Sequence, residues 1–192
     1  MAGYPFILSL SENADDLTMW RTYGSDGRGV AVGFDKKMLQ DYSDSEKVKN
    51  TRLLRCEYRE DAVLKGLIRY WSAVYDNIDF QEGKTTLSSL RFLFDISNFC
   101  FSFKKSEYRN EREWRLCKNE MDSGKIFFLE RGGLLIPYIK HLFPSEIIKK
   151  IIVGPCVNKI LTQESIDNFL RVRKYRVDKD FTQMSKVPYR QI

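Results

Sequence analysis

Two stretches of helical apolar periodicity interrupt a chain that otherwise has the pattern of β-strands. Apolar residues recur at helical spacing over 62–74 and again over 87–101. On both sides of them, alternating or short apolar runs predict strands at 6–11, 30–34, 51–58, 113–117, 125–129, 134–139 and 148–153. Strands, helices and further strands in this order predict an α+β fold, with a mixed or mostly antiparallel sheet and two inserted core helices.

The remaining elements complete a single domain over residues 1–192. Thr162 is predicted to cap a C-terminal helix over 162–173, and a last strand is predicted around 175–178. No repeat, low-complexity tract or linker divides the 192 residues, a length that suits one hydrophobic core. The glycines between Tyr23 and Gly29 follow a short helix and enter a strand, so they predict a tight turn and not a phosphate-binding loop.

Composition narrows the classes of function. No apolar run is long enough to cross a bilayer, and the start lacks a signal-peptide pattern, so a cytoplasmic protein that does not contact a membrane is expected. The 4 cysteines are widely spaced and the single histidine is His141, so no metal site is predicted. The net charge of +6 is spread among acidic residues and does not by itself predict nucleic-acid binding.

Two short constellations stand out as candidates for chemistry. Ser9 and Ser11 are two apart on a predicted strand, so both hydroxyl groups point to one face and can meet one ligand. Glu111 and Glu113 place two carboxylates at the start of a later strand by the same rule. Alternating polar or charged residues on an exposed strand also explain each pair, and the pattern alone favours this explanation over a binding site.

Blocks along nearly the whole chain resemble the bacterial domain-of-unknown-function 2971 family. They are 8–12, Asp16-Leu17, Met19-Trp20-Arg21, Tyr23-Gly24, 29–34, Lys105, Tyr108, 111–115, 152–154 and 185–190. The family usually opens with a Tyr-Lys-Tyr or Tyr-Arg-Tyr strand and an Asn-Asp-Pro-Phe block, and the chain lacks both. The chain is therefore expected to be a shortened member, the product of a late start, or one part of a split protein. Without the upstream strand, an exposed edge near Phe6 would pair with a partner chain or with a second copy.

A second, looser resemblance is to arginine-serine-glutamate ADP-ribosyltransferases, which carry an arginine strand, a serine-x-serine strand and a glutamate-x-glutamate motif in that order. Ser9-x-Ser11 and Glu111-x-Glu113 follow this order, and the arginine would belong to the missing block. The resemblance implies NAD as the substrate, with no metal, and a protein or nucleic acid as the acceptor.

The same resemblance implies roles for individual residues. Glu113 would stabilise the oxocarbenium-like charge as nicotinamide leaves, and Glu111 would orient or deprotonate the acceptor. The residues expected to bind NAD are Ser9 and Ser11 at the ribose or amide, Trp20 and Tyr23 at a ring, and Arg21, Arg115 and Arg190 at the pyrophosphate.

Three functions follow as alternatives. The first is an NAD-dependent ADP-ribosyltransferase-like enzyme, which would be a bacterial toxin or an antiphage defence effector. A non-catalytic binding or regulatory module would use the same motifs to stabilise its fold and the exposed edge to pair with a partner. A nuclease or another nucleotide-directed hydrolase would use the same carboxylates.

Overall fold

The computed structural model describes residues 4–46, 48–75, 100–155, 158–175 and 180–189. The strands are β1 (Tyr4–Ser11), β2 (Val30–Phe34), β3 (Thr51–Arg55), β4 (Glu113–Glu120), β5 (Ile126–Arg131), β6 (Leu134–Ile139), β7 (Ile148–Val153) and β8 (Thr182–Met184). The helices are α1 (Leu17–Thr22), α2 (Lys36–Asp44), α3 (Glu60–Tyr75) and α4 (Lys159–Val172), with 3₁₀ helices at Ser106–Glu111, Ser123–Lys125 and Ser145–Ile147.

The strands form two sheets and a separate hairpin. In the first sheet β4 lies between β1 and β3 and is antiparallel to both. In the second sheet β7 lies between β2, which is antiparallel, and β8, which is parallel. Strands β5 and β6 pair only with each other in the described part of the chain. The fold is therefore α+β with mainly antiparallel pairing, as the order of sequence patterns predicts.

The core lies between the first sheet and α2. Leu39 of α2 packs with Leu53 of β3 and Leu116 of β4, and Ile147 joins them from the segment before β7. Partly buried Leu10, Phe34, Met38, Tyr42, Trp114 and Phe143 surround this cluster. Because Leu10, Trp114 and Leu116 share one face of the sheet, the side chains between them on β1 and β4 point the other way.

Some elements differ from the sequence prediction. Helix α2 was not predicted; Asp35 starts it by accepting a hydrogen bond from the Met38 backbone N–H. Helix α4 begins at Lys159 and not at Thr162, because Asn158 is its N-cap. The last strand is β8, and the predicted strand over 175–178 lies almost wholly outside the described residues.

The two predicted inserted helices have different outcomes. The first is α3, which leaves Leu64, Ile68 and Trp71 largely exposed, so its apolar stripe is less buried than its pattern suggests. The second, over 87–101, lies almost entirely outside the described residues. No described helix is long and apolar enough to cross a membrane.

The glycine-rich segment between α1 and β2 is a tight turn, as predicted. Ser25, Asp26 and Gly27 have positive φ angles of 50°, 55° and 79°, and the Gly29 N–H closes the turn on the Gly24 carbonyl oxygen at 2.8 Å. Gly154, just after β7, packs against this turn and donates its N–H to the Gly29 carbonyl oxygen at 2.9 Å. A Cβ atom at position 154 would overlap the Gly27 carbonyl group.

We expect Gly154→Ala to destabilise the protein by about 2 kcal/mol or more, because the added methyl group forces two backbone segments apart. Urea unfolding of the variant measures this loss. Gly124→Ala is the matched control, since its methyl group meets only the Asp122 carboxylate on the surface. Equal stability of the two variants would show that the turn does not pack tightly on Gly154.

Candidate functional site

Strand pairing brings the two serines and the second carboxylate to one face of the first sheet. Ser9 lies directly opposite Arg115, and Ser11 lies opposite Glu113. Residues opposite each other in an antiparallel pair point to the same face, with Cα atoms roughly 5 Å apart. These four side chains therefore stand together on the face opposite the core.

Glu113 is the buried centre of this group. Its Oε1 accepts from Arg115 Nε at 3.0 Å, and its Oε2 accepts from Arg115 Nη2 at 3.2 Å. Lys104 Nζ lies 2.8 Å from the same Oε2, and Ser9 is a further hydrogen-bond partner. The Glu113 side chain is only 5% exposed. Burial alone would raise the pKa of Glu113, but the hydrogen bonds from Arg115, Lys104 and Ser9 hold that pKa at about 2.

Glu111 reaches the same lysine from a different element. It ends the 3₁₀ helix at Ser106–Glu111 and does not lie on β4, so the predicted strand alternation with Glu113 is wrong. Arg112, with φ 46° and ψ 51°, turns the chain between the two carboxylates. Glu111 Oε2 lies 2.5 Å from Lys104 Nζ, and Glu111 Oε1 accepts from the Tyr23 hydroxyl at 3.1 Å. Ser11 Oγ donates to the Glu111 carbonyl oxygen at 2.7 Å.

Lys104, Glu111, Glu113 and Arg115 thus form an ion cluster in which two positive and two negative charges balance. Lys104 bridges both carboxylates, and its own side chain is only 16% exposed. Burial would lower the pKa of Lys104, but the two carboxylates outweigh burial and raise it, so the amine stays charged. Lys104 was not predicted from the sequence, because no spacing rule relates a loop lysine to a later strand.

Two buried thiols adjoin the ion cluster. Burial raises the pKa of Cys56 to about 11, and Glu113 adds to this rise. Burial also raises the pKa of Cys117 to about 11. Both thiols therefore stay protonated near neutral pH, and neither is a ready nucleophile. In the described residues no group of three His, Cys, Asp or Glu side chains is placed to hold a metal ion.

A cavity of about 580 Å³ lies beside the ion cluster, between β1, α1 and β2. Ser9, Ser11, Trp20 and Tyr23 line it, together with apolar core residues such as Leu10 and Phe34. Glu111, Glu113 and Arg115 are not among its lining residues. The cavity floor, which includes Leu10 and Trp114, belongs to the core face of the first sheet, whereas Glu113 lies on the opposite face.

The predicted NAD-binding residues differ in how exposed they are and in which hydrogen bonds they already make. The Tyr23 side chain is 62% exposed, whereas Trp20 is 4% exposed and donates its ring N–H to Asp15 at 2.7 Å. The Arg115 guanidinium is occupied by Glu113 and by the Phe101 carbonyl oxygen at 2.7 Å. Arg21 is exposed and does not line the cavity, and Arg190 lies outside the described residues.

The end of the chain fixes α1 beside the cavity. Asp15 accepts hydrogen bonds from Ser185 Oγ at 2.6 Å and from the Lys186 backbone N–H at 2.7 Å. Tyr189 donates its hydroxyl to Asp26 at 2.5 Å, in the turn that follows α1. The Ser-Lys-Val-Pro-Tyr block noted in the sequence therefore holds the wall that carries Trp20 and Tyr23.

The fold and its ion cluster define an α+β domain whose paired serine and glutamate strands border a cavity. Comparison with protein-family models matches residues 19–116, just over half of the chain, to the family described as "Protein of unknown function (DUF2971)". The chain belongs to this family. Neither the curated proteins nor the solved structures include a significant match.

We expect the stability that Glu113 contributes to be present above about pH 4.5 and to be lost as the pH falls toward 2, because the folded-state pKa lies below the unfolded one. The shift corresponds to about 3 kcal/mol. Urea unfolding between neutral and acid pH should show Glu113→Gln less stable than wild type at pH 7, with the two curves converging toward pH 2. Parallel curves would contradict the buried ion cluster. Glu107→Gln, an exposed site, is the control.

Proposed function

We propose that the protein cleaves NAD at the bond between nicotinamide and ribose, as an ADP-ribosyltransferase-like enzyme. The observation that supports this proposal best is that the serine strand and the Glu113 strand are direct neighbours, with Ser11 directly opposite Glu113. Ser9, Ser11 and Glu113 therefore share one face of the sheet, although the two motifs lie about 100 residues apart in sequence. Such proximity is what a common ligand of both motifs requires.

The cavity suits part of a dinucleotide. Its volume of about 580 Å³ falls within the range of small-molecule sites. Its walls combine apolar side chains with residues Ser9 and Ser11 of β1, whose hydroxyl groups would have to reach the ribose or the nicotinamide amide around the edge of the strand. The exposed Tyr23 ring would stack on a base, and Trp20 would form a fixed wall.

The chemistry assigned to Glu113 depends on its charge. A carboxylate with a pKa of about 2 is ionised throughout the physiological range and can stabilise positive charge on the ribose carbon. Lys104 and Arg115 fix its orientation and so act as positioning residues. Ser9 is the exposed partner of Glu113, so a ribose hydroxyl would enter by replacing the Ser9 hydrogen bond.

The transfer step balances without a metal or a redox partner. The bond from the ribose carbon to the nicotinamide nitrogen breaks, and its electron pair leaves with nicotinamide. An oxygen or nitrogen of the acceptor forms the new bond to that carbon, and Glu111 takes the acceptor proton. The acceptor would be a protein, a nucleic acid or water. A toxin or antiphage effector is the biological role that fits this activity.

A binding module is the second candidate, and the closed ion cluster favours it. Both oxygens of Glu113 already have cationic partners, and the charges of the cluster cancel. In this alternative the serines and glutamates stabilise the junction of β1 and β4, and the exposed strand edges bind a partner.

Incubation of the protein with NAD, followed by a nicotinamide assay, separates the two candidates. We expect wild type to release nicotinamide and Glu113→Gln to do so at least about 100-fold more slowly, since the substitution removes the stabilising charge. Glu107→Gln should match wild type. Ser9→Ala, at an exposed position that leaves the fold intact, should also slow release. No release by wild type, or equal release by Glu113→Gln, would overturn the enzyme proposal.

A further inference from the structure

The cavity lies between two strand edges. Strand β1 is at the end of the first sheet and β2 is at the end of the second, and neither pairs with the other in the described residues. Residues 9–11 at the end of β1 and all five residues of β2 line the cavity. Consecutive residues point to opposite faces of a strand, so a cavity touching all of them runs along the strand edges.

The backbone of β1 presents hydrogen-bonding groups to this cavity. The Glu12 N–H donates to the Arg112 carbonyl oxygen at 3.2 Å, so the backbone of Glu12 faces β4. Backbone groups of alternate residues face opposite edges in an antiparallel pair. Leu10 therefore also faces β4, whereas the backbone N–H and C=O groups of Ser9 and Ser11 face the cavity.

The backbone of β2 presents a matching row. The Gly154 N–H donates to the Gly29 carbonyl oxygen, so the backbone of Gly29 faces β7. On β7, the Ile151 N–H donates to the Phe181 carbonyl oxygen, so the backbone of Ile151 faces β8 and not β2. The backbone of Val32, which lies opposite Ile151, therefore makes no hydrogen bond to β7. The backbone groups of Val30 and Val32 consequently face the cavity.

The side chains around these edges are apolar and unusually accessible. Val30 is 49% exposed and Val32 is 43% exposed. The floor of the cavity includes Leu10, Phe34 and Leu39, which belong to the core or pack on it. Natural proteins protect such bare apolar edges with charges, prolines or a covering strand. In the described part of the chain no strand covers these edges, and Leu10 and Phe34 beside them are only partly buried.

We propose that this cavity is a slot for one extended segment of a separate polypeptide chain, which pairs with β1 on one side and β2 on the other. Its alternate side chains would be apolar where they cover Leu10 and Phe34, and polar on the side of Ser9 and Ser11. About five residues, roughly 17 Å, would match the length of β2. The inserted strand joins the two sheets into one.

The two edges decide what kind of segment fits. An edge strand of a folded domain has its second edge already paired within its own sheet, so it can serve β1 or β2 but not both. Only a segment with both edges free can satisfy the backbone of Ser9 and Ser11 together with that of Val30 and Val32. The partner therefore supplies an unpaired, extended peptide. This proposal rests on the binding-module alternative and not on NAD cleavage, because a peptide strand in the cavity would displace NAD.

The test uses a capped synthetic peptide of alternating valine and threonine, about seven residues long. A repeating peptide can place its apolar residues on either face, so one probe samples both registers. We expect saturable binding by calorimetry. Single N-methylation at either of two adjacent central residues should weaken binding about tenfold, since neighbouring N–H groups pair with opposite edges of the slot.

Every alternative outcome counts against the slot. No binding up to about 1 mM would overturn it. If N-methylation weakens peptide binding at only one of the two positions, a single edge pairs with the peptide. If it weakens binding at neither, the peptide binds by apolar contact without strand pairing. A light-scattering mass of two chains without peptide, reverting to one in Val32→Pro, would show that a second copy fills the cavity.

Val32→Pro tests the protein side of the slot. Proline removes the Val32 N–H, which faces the cavity and makes no ladder bond to β7, so far-UV circular dichroism should be unchanged. Peptide affinity should fall about tenfold. The control variant is Lys37→Ala, an exposed substitution on α2. It leaves both strand edges intact, so this variant should bind the peptide as wild type does. Unchanged affinity in Val32→Pro would overturn pairing with β2.

Discussion

The antiparallel pairing of β1 with β4 is the constraint on which the rest of the structure depends. Its register sets Leu10 beside Trp114 on the core face and Ser11 beside Glu113 on the other face. A slip of one residue would exchange the two faces, exposing apolar side chains and burying the serines. The same register turns the backbone of Ser9 and Ser11 toward the cavity, so core, ion cluster and free edge all follow from one alignment.

Charge pairing and hydrogen bonds then determine how the side chains are arranged on the polar face of the first sheet. A buried carboxylate is costly unless it is paired and hydrogen-bonded, and Glu113 has Arg115, Lys104 and Ser9 as partners. Because Lys104 also holds Glu111, the loop before β4 is tied to the strand that carries the second glutamate. Removing any one charge leaves an unbalanced group in a nearly dry site, which is why the cluster contributes to folding whether or not it also takes part in catalysis.

The sequence predicts this architecture well where local periodicity determines the outcome. Strands β6 and β7 have the predicted bounds, since Gly132-Gly133 comes before the apolar residues of β6 and Gly154-Pro155 follows those of β7. Helix α2 was missed because its apolar face is short and its main signal is one capping aspartate, Asp35. Periodicity also cannot measure exposure: the hairpin of β5 and β6 was predicted as strands, yet Leu134 and Leu135 are 68% and 72% exposed.

The candidate site was only partly predictable for a related reason. Two-residue spacing correctly placed Ser9 and Ser11 on one face, but Lys104 and Asp15 act through contacts between distant segments that no local rule reveals. Pairing of the serine strand with the glutamate strand likewise depends on tertiary register. An exposed edge near Phe6, on β1, was expected from the sequence, whereas the bare edge of β2 became visible only once the sheet order was known.

The register of β1 against β4 can be measured directly with the native thiol of Cys117, which lies opposite Ile7. These residues form a closely spaced pair, at a Cα separation that a disulfide can span. After mild oxidation, peptide mapping by mass spectrometry should find a disulfide between positions 7 and 117 in Ile7→Cys. It should find none in Leu8→Cys, whose side chain points to the other face. A disulfide in Leu8→Cys and not in Ile7→Cys would contradict the register and separate Ser9 from Glu113.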